Sequence, residues 1–303
     1  MLEFKEVKIT RILNPTAIDL GEYVINPFMG CEFSCLYCYV RSNRVVSRKN
    51  KPWGEYVDIR VNAPELLEKE IILKKPKNVL LGSTTECFQP VERKYRLTKR
   101  ILEILNKHKI YYCILTRSPY ILDYIPLLKE GFCRKIYFTI NKFKPEFKQR
   151  LEPKSPGLDL RDEAVNMLLS EGLPVIPYFS PLLPWVSDIK DVYLRFKEAK
   201  EVDFECLNFR LNNINEIINN INGVDSSLKL NYESMLGDRP FYAQVFKEIE
   251  KDIDKQAQAA KKRYNIYIHK FGDYFKNKYT AINSKFSRLC RDPDKSGKAQ
   301  MSK

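Results

Sequence analysis

The sequence predicts an α/β protein built on a parallel sheet, and three observations carry that expectation. Six short β-branched or aromatic runs fall at 23–27, 78–82, 110–115, 135–140, 173–179 and 204–209. Stretches with helical spacing lie between them, at 63–73, 92–107, 119–129, 158–171 and 189–200. Gly131 and Gly172 stand just past two of those helices, where a left-handed C-terminal cap favours glycine. Strands alternating with helices in this way become parallel strands covered by helices.

Each element has a local reason. The first strand, at 23–27, leads into Pro27-Phe28-Met29-Gly30. Ala63-Pro64-Glu65 opens the first helix, with proline in the first turn where its missing N–H costs nothing. Six strand–helix units are too few for a closed eight-stranded barrel and suit either an open doubly wound sheet or a partial barrel. The chain has 11 glycines, no G-x-G-x-x-G after the first strand and no P-loop. Residues 239–263 read as one long polar helix, 264–279 as an aromatic, basic segment, and the polar end from Asp292 is expected to fray. The expected organisation is a core over 1–220 and a basic, mainly helical C-terminal extension over 221–303 that packs on it.

The 303 residues suffice for one large domain or two average ones, and 44% apolar with 30% charged residues excludes a disordered chain. No apolar run approaches the roughly 20 residues of a membrane span. The N-terminus has no basic-then-apolar signal pattern, so a cytoplasmic location without membrane attachment is expected. The formal charge is +14. Residues 93–117 hold eight bases and one acid, and 237–303 hold sixteen bases and eight acids. Such a balance attracts polyanions, DNA or RNA among them, although a solvated lysine-rich surface has the same composition.

Eight cysteines in a large chain without a signal peptide do not form a disulfide framework. Cys87, Cys113, Cys133, Cys206 and Cys290 stand alone, whereas Cys31, Cys35 and Cys38 spell C-x3-C-x2-C. Structural zinc needs a fourth ligand, normally from a second pair, and His108 and His269 are solitary. Ferredoxin-type clusters use four cysteines in other spacings. Three neighbouring thiolates suit a 4Fe-4S cluster in which one iron keeps an open position, able to bind a small chelating molecule and pass it an electron.

C-x3-C-x-φ-C after the first strand of such a chain resembles the radical S-adenosylmethionine superfamily. Asn26-Pro27-Phe28-Met29-Gly30-Cys31 with Cys38-Tyr39, and Thr85-Glu86-Cys87-Phe88-Gln89-Pro90-Val91-Glu92, resemble its spore photoproduct lyase-like branch. So do Leu115-Thr116-Arg117-Ser118, Arg150-Leu151-Glu152-Pro153 and Pro181-Leu182-Leu183-Pro184. The resemblance covers about residues 20–210 and implies a partial (β/α)6 TIM-type barrel with its cluster loop at 27–40. It also implies a 4Fe-4S cluster on Cys31, Cys35 and Cys38, S-adenosylmethionine as second cofactor, and a flavodoxin- or ferredoxin-like electron donor.

Ligands of parallel β/α folds sit beyond the C-terminal strand ends, which orders the remaining candidates. Ser83, Thr84, Thr85 and Glu86 follow the second strand; hydroxyls and a carboxylate suit the ammonium of a bound amino acid, and the family gives this strand end to the methionine moiety. The same residues also suit a helix cap. Arg117 follows the third strand and matches a carboxylate bidentately, where the resemblance suggests a lysine. Thr139 and Asn141 follow the fourth and suit ribose hydroxyls. Tyr37 and Tyr39 flank Cys38 and suit shielding of the cluster, stacking near adenine, relay of a hydrogen atom, or simple packing of the loop. Arg150 and Glu152 fall near the family's cofactor and receive no role from the sequence. Ser83 stands where spore photoproduct lyase needs a hydrogen-donating cysteine, so repair of the thymine-dimer lesion is not expected. Cys87 is a candidate for a catalytic radical role and equally a small buried hydrophobe.

The function these readings imply is reductive cleavage of S-adenosylmethionine and hydrogen abstraction from a bulky anionic substrate, nucleic acid first. Radical modification of a peptide or metabolite is the enzymatic alternative. A zinc-stabilised nucleic-acid-binding protein is the non-enzymatic one.

Overall fold

Residues 2–42 and 51–269 are described by a computed structural model. Its strands in chain order are β1 (Glu3–Val7), β2 (Asn14–Pro15), β3 (Tyr23–Ile25), β4 (Phe28–Gly30), β5 (Tyr56–Arg60), β6 (Asn78–Leu81), β7 (Tyr111–Thr116), β8 (Cys133–Thr139), β9 (Val175–Leu182), β10 (Glu201–Cys206) and β11 (Arg263–Tyr267). Its helices are α1 (Ala63–Lys74), α2 (Glu92–Tyr95), α3 (Leu97–Lys107), α4 (Ile125–Lys129), α5 (Pro145–Leu151), α6 (Leu158–Ser170), α7 (Val192–Arg195), α8 (Ile214–Asn222), α9 (Lys229–Gly237) and α10 (Arg239–Ala260).

The main sheet runs β11-β10-β9-β8-β7-β6-β3-β2. Every pair from β3 to β11 is parallel, and β2 closes the other edge antiparallel to β3. All six expected strands are present. Their side chains alternate between two buried faces, which is why the runs are apolar throughout. Val79 and Leu81, Ile114, Ile136 and Phe138, Phe179, Val202 and Phe204 face the helices in one large core. Leu80, Cys113, Tyr137 and Ile176 face the inside in a smaller one. This is the partial TIM-type fold the sequence implies.

Three differences have local causes. The expected helix over 92–107 is two helices, because Arg96 takes φ 54 between α2 and α3. The Glu92 carboxylate then accepts from the N–H groups of Thr98 and Lys99 at 3.0 and 3.1 Å and caps the second helix. The expected helix over 189–200 is helical only at α7, after Asp191 at φ 53. The C-terminal extension is not helical alone: β11 adds a seventh parallel strand beside β10, with Val202↔Tyr264 and Glu205↔Tyr267 in register. Tyr242, Val245, Phe246 and Ile253 of α10 share the large core, so this helix packs on the barrel. Cys290, the segment from 270 to 279 and the end from Asp292 lie outside the described residues.

A second sheet, β1-β5-β4, has no counterpart in the sequence reading. It carries the chain into the cluster loop. Among the described residues, no helix is long and apolar enough to cross a membrane.

Candidate active site at the strand ends

The cluster loop starts where β4 ends, and its backbone is tied down on every side. Gly30 adopts φ +98, and a Cβ there would stand 2.1 Å from the Tyr56 carbonyl oxygen on β5, so no other residue fits. Thr85 Oγ1 donates to the Gly30 carbonyl at 2.6 Å, and Gln89 Oε1 accepts from the Glu32 N–H at 2.9 Å. Leu36 N–H donates to the Leu151 carbonyl at 2.9 Å, while Asn213 Nδ2 donates to the Leu36 carbonyl at 2.7 Å. Arg41 donates to the carbonyls of Cys35 and Ser34, both at 2.9 Å. Buried polar backbone in a loop needs such partners.

Within this frame Cys35 is buried and Cys31 and Cys38 are half-buried. Burial pushes all three thiols up, and the charge of Cys35 adds to the rise at both neighbours, carrying Cys38 to about 11. Among the described residues, no three His, Cys, Asp or Glu side chains converge as a single ion requires. A cubane asks for something different, one thiolate at each of three separate corners, and metal ligation deprotonates a thiol outright. The donor set fits.

The strand ends bring most of the other candidates to the same side. After β6, Ser83 Oγ accepts from Asn26 Nδ2 at 3.3 Å and Asn26 Oδ1 accepts from the Thr84 N–H at 3.0 Å. Glu86 is spoken for: it accepts from Thr116 Oγ1 at 2.7 Å, the Phe88 N–H at 3.0 Å and the Arg117 N–H at 2.9 Å. It ties the β6 loop to the end of β7, and the next helix, α2, has no side-chain cap, so the helix-capping alternative is not what these residues do. Thr85 likewise braces the cluster loop. Thr139 is buried at the end of β8. Tyr39 is 48% exposed, and its hydroxyl donates to the Ser83 carbonyl. Cys87 is 0% exposed and lies in the large core. An enclosed thiol meets no substrate, and this placement suits the small buried hydrophobe.

Arg117, at the end of β7, sits at the centre of a buried network. Its Nη1 donates to Cys35 Sγ at 3.2 Å, to the Tyr37 hydroxyl at 2.6 Å and to Glu152 Oε1 at 3.3 Å. Tyr37 donates to the same Glu152 oxygen, and Asn141 Nδ2 reaches Tyr37, Glu152 and the Ser180 carbonyl at 3.1, 3.3 and 2.9 Å. The second Glu152 oxygen accepts from Arg161 and from Ser155 Oγ. Burial would raise the Glu152 carboxyl, but Arg161 and Arg117 outweigh it and hold it at about 2. Nε and Nη2 of Arg117 have no hydrogen-bond partner among the described residues. One edge of the guanidinium grips the protein and the other is open.

Sequence reasoning missed Arg161, which reads as an exposed helix residue, and gave Glu152 no role. The R-L-E-P motif was the available signal for Glu152. Asn26 and Gln89 were also visible only as parts of motifs.

A family model of the Radical SAM superfamily matches residues 25–195, from the end of β3 through α7 and including the three clustered cysteines. An uncharacterized protein of Methanocaldococcus jannaschii is 31% identical over 213 residues, 69% of this chain and 79% of that protein. Spore photoproduct lyase complexed with dinucleoside spore photoproduct superposes with a TM-score of 0.53 at 15% identity, over 67% of this chain and 61% of that one. SuiB of Streptococcus suis bound to S-adenosylmethionine gives 0.52 at 12% identity, over 82% and 50%. The two structures speak for the fold; the family match and the relative speak for descent. They set aside the zinc-stabilised, non-enzymatic reading: the chain belongs to the radical SAM superfamily and is an enzyme.

Proposed function

We propose that Cys31, Cys35 and Cys38 hold a 4Fe-4S cluster and that the adjoining strand ends bind S-adenosylmethionine. The observation that carries this reading is the anchored loop, which carries the three thiols and sets one of them, Cys35, against Arg117 Nη1 at 3.2 Å. When bound, the two groups together supply reductive cleavage to methionine and a 5′-deoxyadenosyl radical that takes hydrogen from a substrate. The open Nε–Nη2 edge of Arg117 matches a carboxylate in a bidentate fork. Ser83 and Thr84 offer hydroxyls for an ammonium, and Asn141 and Thr139 border the next strand end. Tyr39, with its exposed ring one residue from Cys38, is the group best placed to relay a hydrogen atom; Cys87 is too enclosed for that role. An external one-electron donor of the flavodoxin or ferredoxin class completes the chemistry.

Replacing Arg117 with alanine is expected to weaken S-adenosylmethionine binding by about 1.5–3 kcal/mol, the worth of a charge-assisted hydrogen bond. Equilibrium dialysis of anaerobically reconstituted protein measures it. Unchanged affinity would make Arg117 a bystander.

The substrate we propose is nucleic acid, acted on in the manner of the spore photoproduct lyase-like branch. The +14 charge supports it. So does the solved complex of a fold neighbour with a dinucleoside. The basic stretch at 93–117 supports it less than its composition suggests. Arg93 pairs with Asp123 at 3.9 Å, Lys99 with Glu103 at 3.7 Å, Arg100 with Glu65 at 2.5 Å and Lys107 with Glu68 at 2.9 Å. That local neutralisation favours a second reading, radical modification of a peptide or metabolite. The tail bases are mixed: Lys262 donates to the Lys197 carbonyl, Arg263 is largely exposed, and Lys270 lies outside the described residues. Tyr267 packs edge-on against Tyr178 of the barrel, whereas Tyr264 bonds Asp254 of α10 within the extension.

Replacing Lys261, Lys262, Arg263 and Lys270 together with glutamine is expected to flatten the salt dependence of single-strand binding by about 0.7 per lost phosphate contact. A log–log salt series on single-stranded oligomers checks it. Anaerobic incubation with dithionite, S-adenosylmethionine and oligomers, followed by mass analysis of nucleosides and of 5′-deoxyadenosine, tests the function itself. Absence of wild-type binding at low salt would move the substrate to a peptide or metabolite.

A further inference from the structure

Nη1 of Arg117 touches a cluster-loop sulfur, and the direction of that contact is fixed. A guanidinium has no acceptor and stays protonated in a protein, so at 3.2 Å it donates to Cys35 Sγ. Among the described residues, no side chain donates to the sulfur of Cys31 or Cys38. The guanidinium is held in place. The Arg117 N–H is bonded to Glu86 Oε2 at 2.9 Å, Nη1 also reaches the Tyr37 hydroxyl at 2.6 Å, and the side chain is only 17% exposed.

The charges behind this contact do not cancel. Glu152 Oε1 lies 3.3 Å from Arg117 and would neutralise it in a simple ion pair. The other Glu152 oxygen is paired with Arg161, and both of these side chains are fully enclosed. Two cations and one anion leave the triad with a net single positive charge. Arg161 is an expensive member, since its Nε and Nη1 find no acceptor. What it supplies is a second cation on Glu152, so that the carboxylate is shared and Arg117 keeps its charge beside the sulfur. Reduction of a cluster at this loop adds one electron, which the external donor gives up, and part of that charge settles on the ligand sulfurs. A hydrogen-bond donor and a fixed cation against one sulfur hold the reduced state more tightly than the oxidised one. Burial strengthens the effect, because little water screens it.

We propose that Arg117, through its N–H on Cys35 Sγ, raises the reduction potential of the cluster. Glu152 and Arg161 are positioning residues that hold the guanidinium there with its charge uncancelled. The inference rests on the cluster reading above and is independent of the substrate. It gives the bonded edge of Arg117 a task distinct from the carboxylate binding assigned to the open edge.

The test is a redox titration of the reconstituted full chain without S-adenosylmethionine, poised with dithionite and followed by electron paramagnetic resonance of the reduced cluster. Arg117→Met keeps the stem and removes both donor and charge. At a fixed potential its reduced-to-oxidised ratio should fall about tenfold, the worth of one charge-assisted hydrogen bond and equal to about 59 mV for one electron. Arg161→Met should lower the potential by less. Glu152→Gln removes the opposing charge and should raise it. A loosened loop that admits water would shift all three variants in one direction, so opposite signs are what a merely structural role does not produce. Iron content shows that each variant is loaded. If Arg117→Met takes up no iron, the signs of Arg161→Met and Glu152→Gln decide, and shifts of one sign overturn the tuning. An unchanged potential in Arg117→Met, or a downward shift in Glu152→Gln, overturns it as well and leaves the cluster reading standing. A wild type with neither iron nor resonance overturns both.

Discussion

Alanine at Cys35 is expected to abolish iron binding and S-adenosylmethionine cleavage together. Anaerobically reconstituted wild type should hold about four irons per chain, since three-thiolate ligation of a cubane implies that content. Cys31→Ala and Cys38→Ala should behave alike, because in the proposed site each cysteine would serve a separate corner and none is spare on the loop. The controls are other cysteines. Cys113 lies in the small inner core and Cys206 in the large one, so their alanine variants lose packing and not iron. Iron assay and visible absorption decide the matter, and a Cys35→Ala protein with close to four irons would overturn the assignment of the loop. The loop backbone is held by Thr85, Gln89, Arg41 and Asn213, none of which depends on the sulfurs, so loss of iron in these variants reports ligation and not unfolding.

How much of this was legible in the chain follows from the range of the interactions. The six strands were readable because burial on both faces writes continuous apolar runs. The candidate cluster loop stood out because three cysteines fall within eight residues. The hinge at Arg96 was not, since it depends on a carboxylate reaching forward to cap α3. Strand β11 hid in a segment whose bases and tyrosines read as a surface, and only its register with β10 makes Tyr264 and Tyr267 strand residues. His269 reads as solitary because its partner, Glu205, lies 64 positions away. Arg161 reads as a solvated helix position because arginine is rarely enclosed completely. Local pattern predicts elements; it does not pair charges across the fold.

That enclosed arginine sets the second large effect. Glu152 and Arg161 have fully buried side chains and pair with each other, and Arg161 has no other carboxylate partner among the described residues. Its Nη2 also reaches Ser155 Oγ at 2.6 Å and the Pro156 carbonyl at 2.9 Å, while Nε and Nη1 find no acceptor. Glu152→Ala therefore strands a buried cation and is expected to cost about 3–5 kcal/mol, a large part of the total stability of an ordinary domain. Arg161→Met should cost less, because Glu152 keeps Arg117 at 3.3 Å and Ser155 at 2.8 Å. Glu152→Leu with Arg161→Met should recover part of the single-variant loss, since an apolar pair removes both desolvation penalties at once. The pH dependence has a definite sign. The folded carboxyl is held at about 2 against an ordinary 4.5, so its contribution, about 3 kcal/mol, is complete above 4.5 and lost as pH falls from there through about 2. Glu152→Gln has no such group and should show a flatter acid limb. Denaturant unfolding of the iron-free chain measures all of these without cluster loss entering the comparison. A Glu152→Ala protein within 1 kcal/mol of wild type, or identical acid limbs for wild type and Glu152→Gln, would show that the pair is idle.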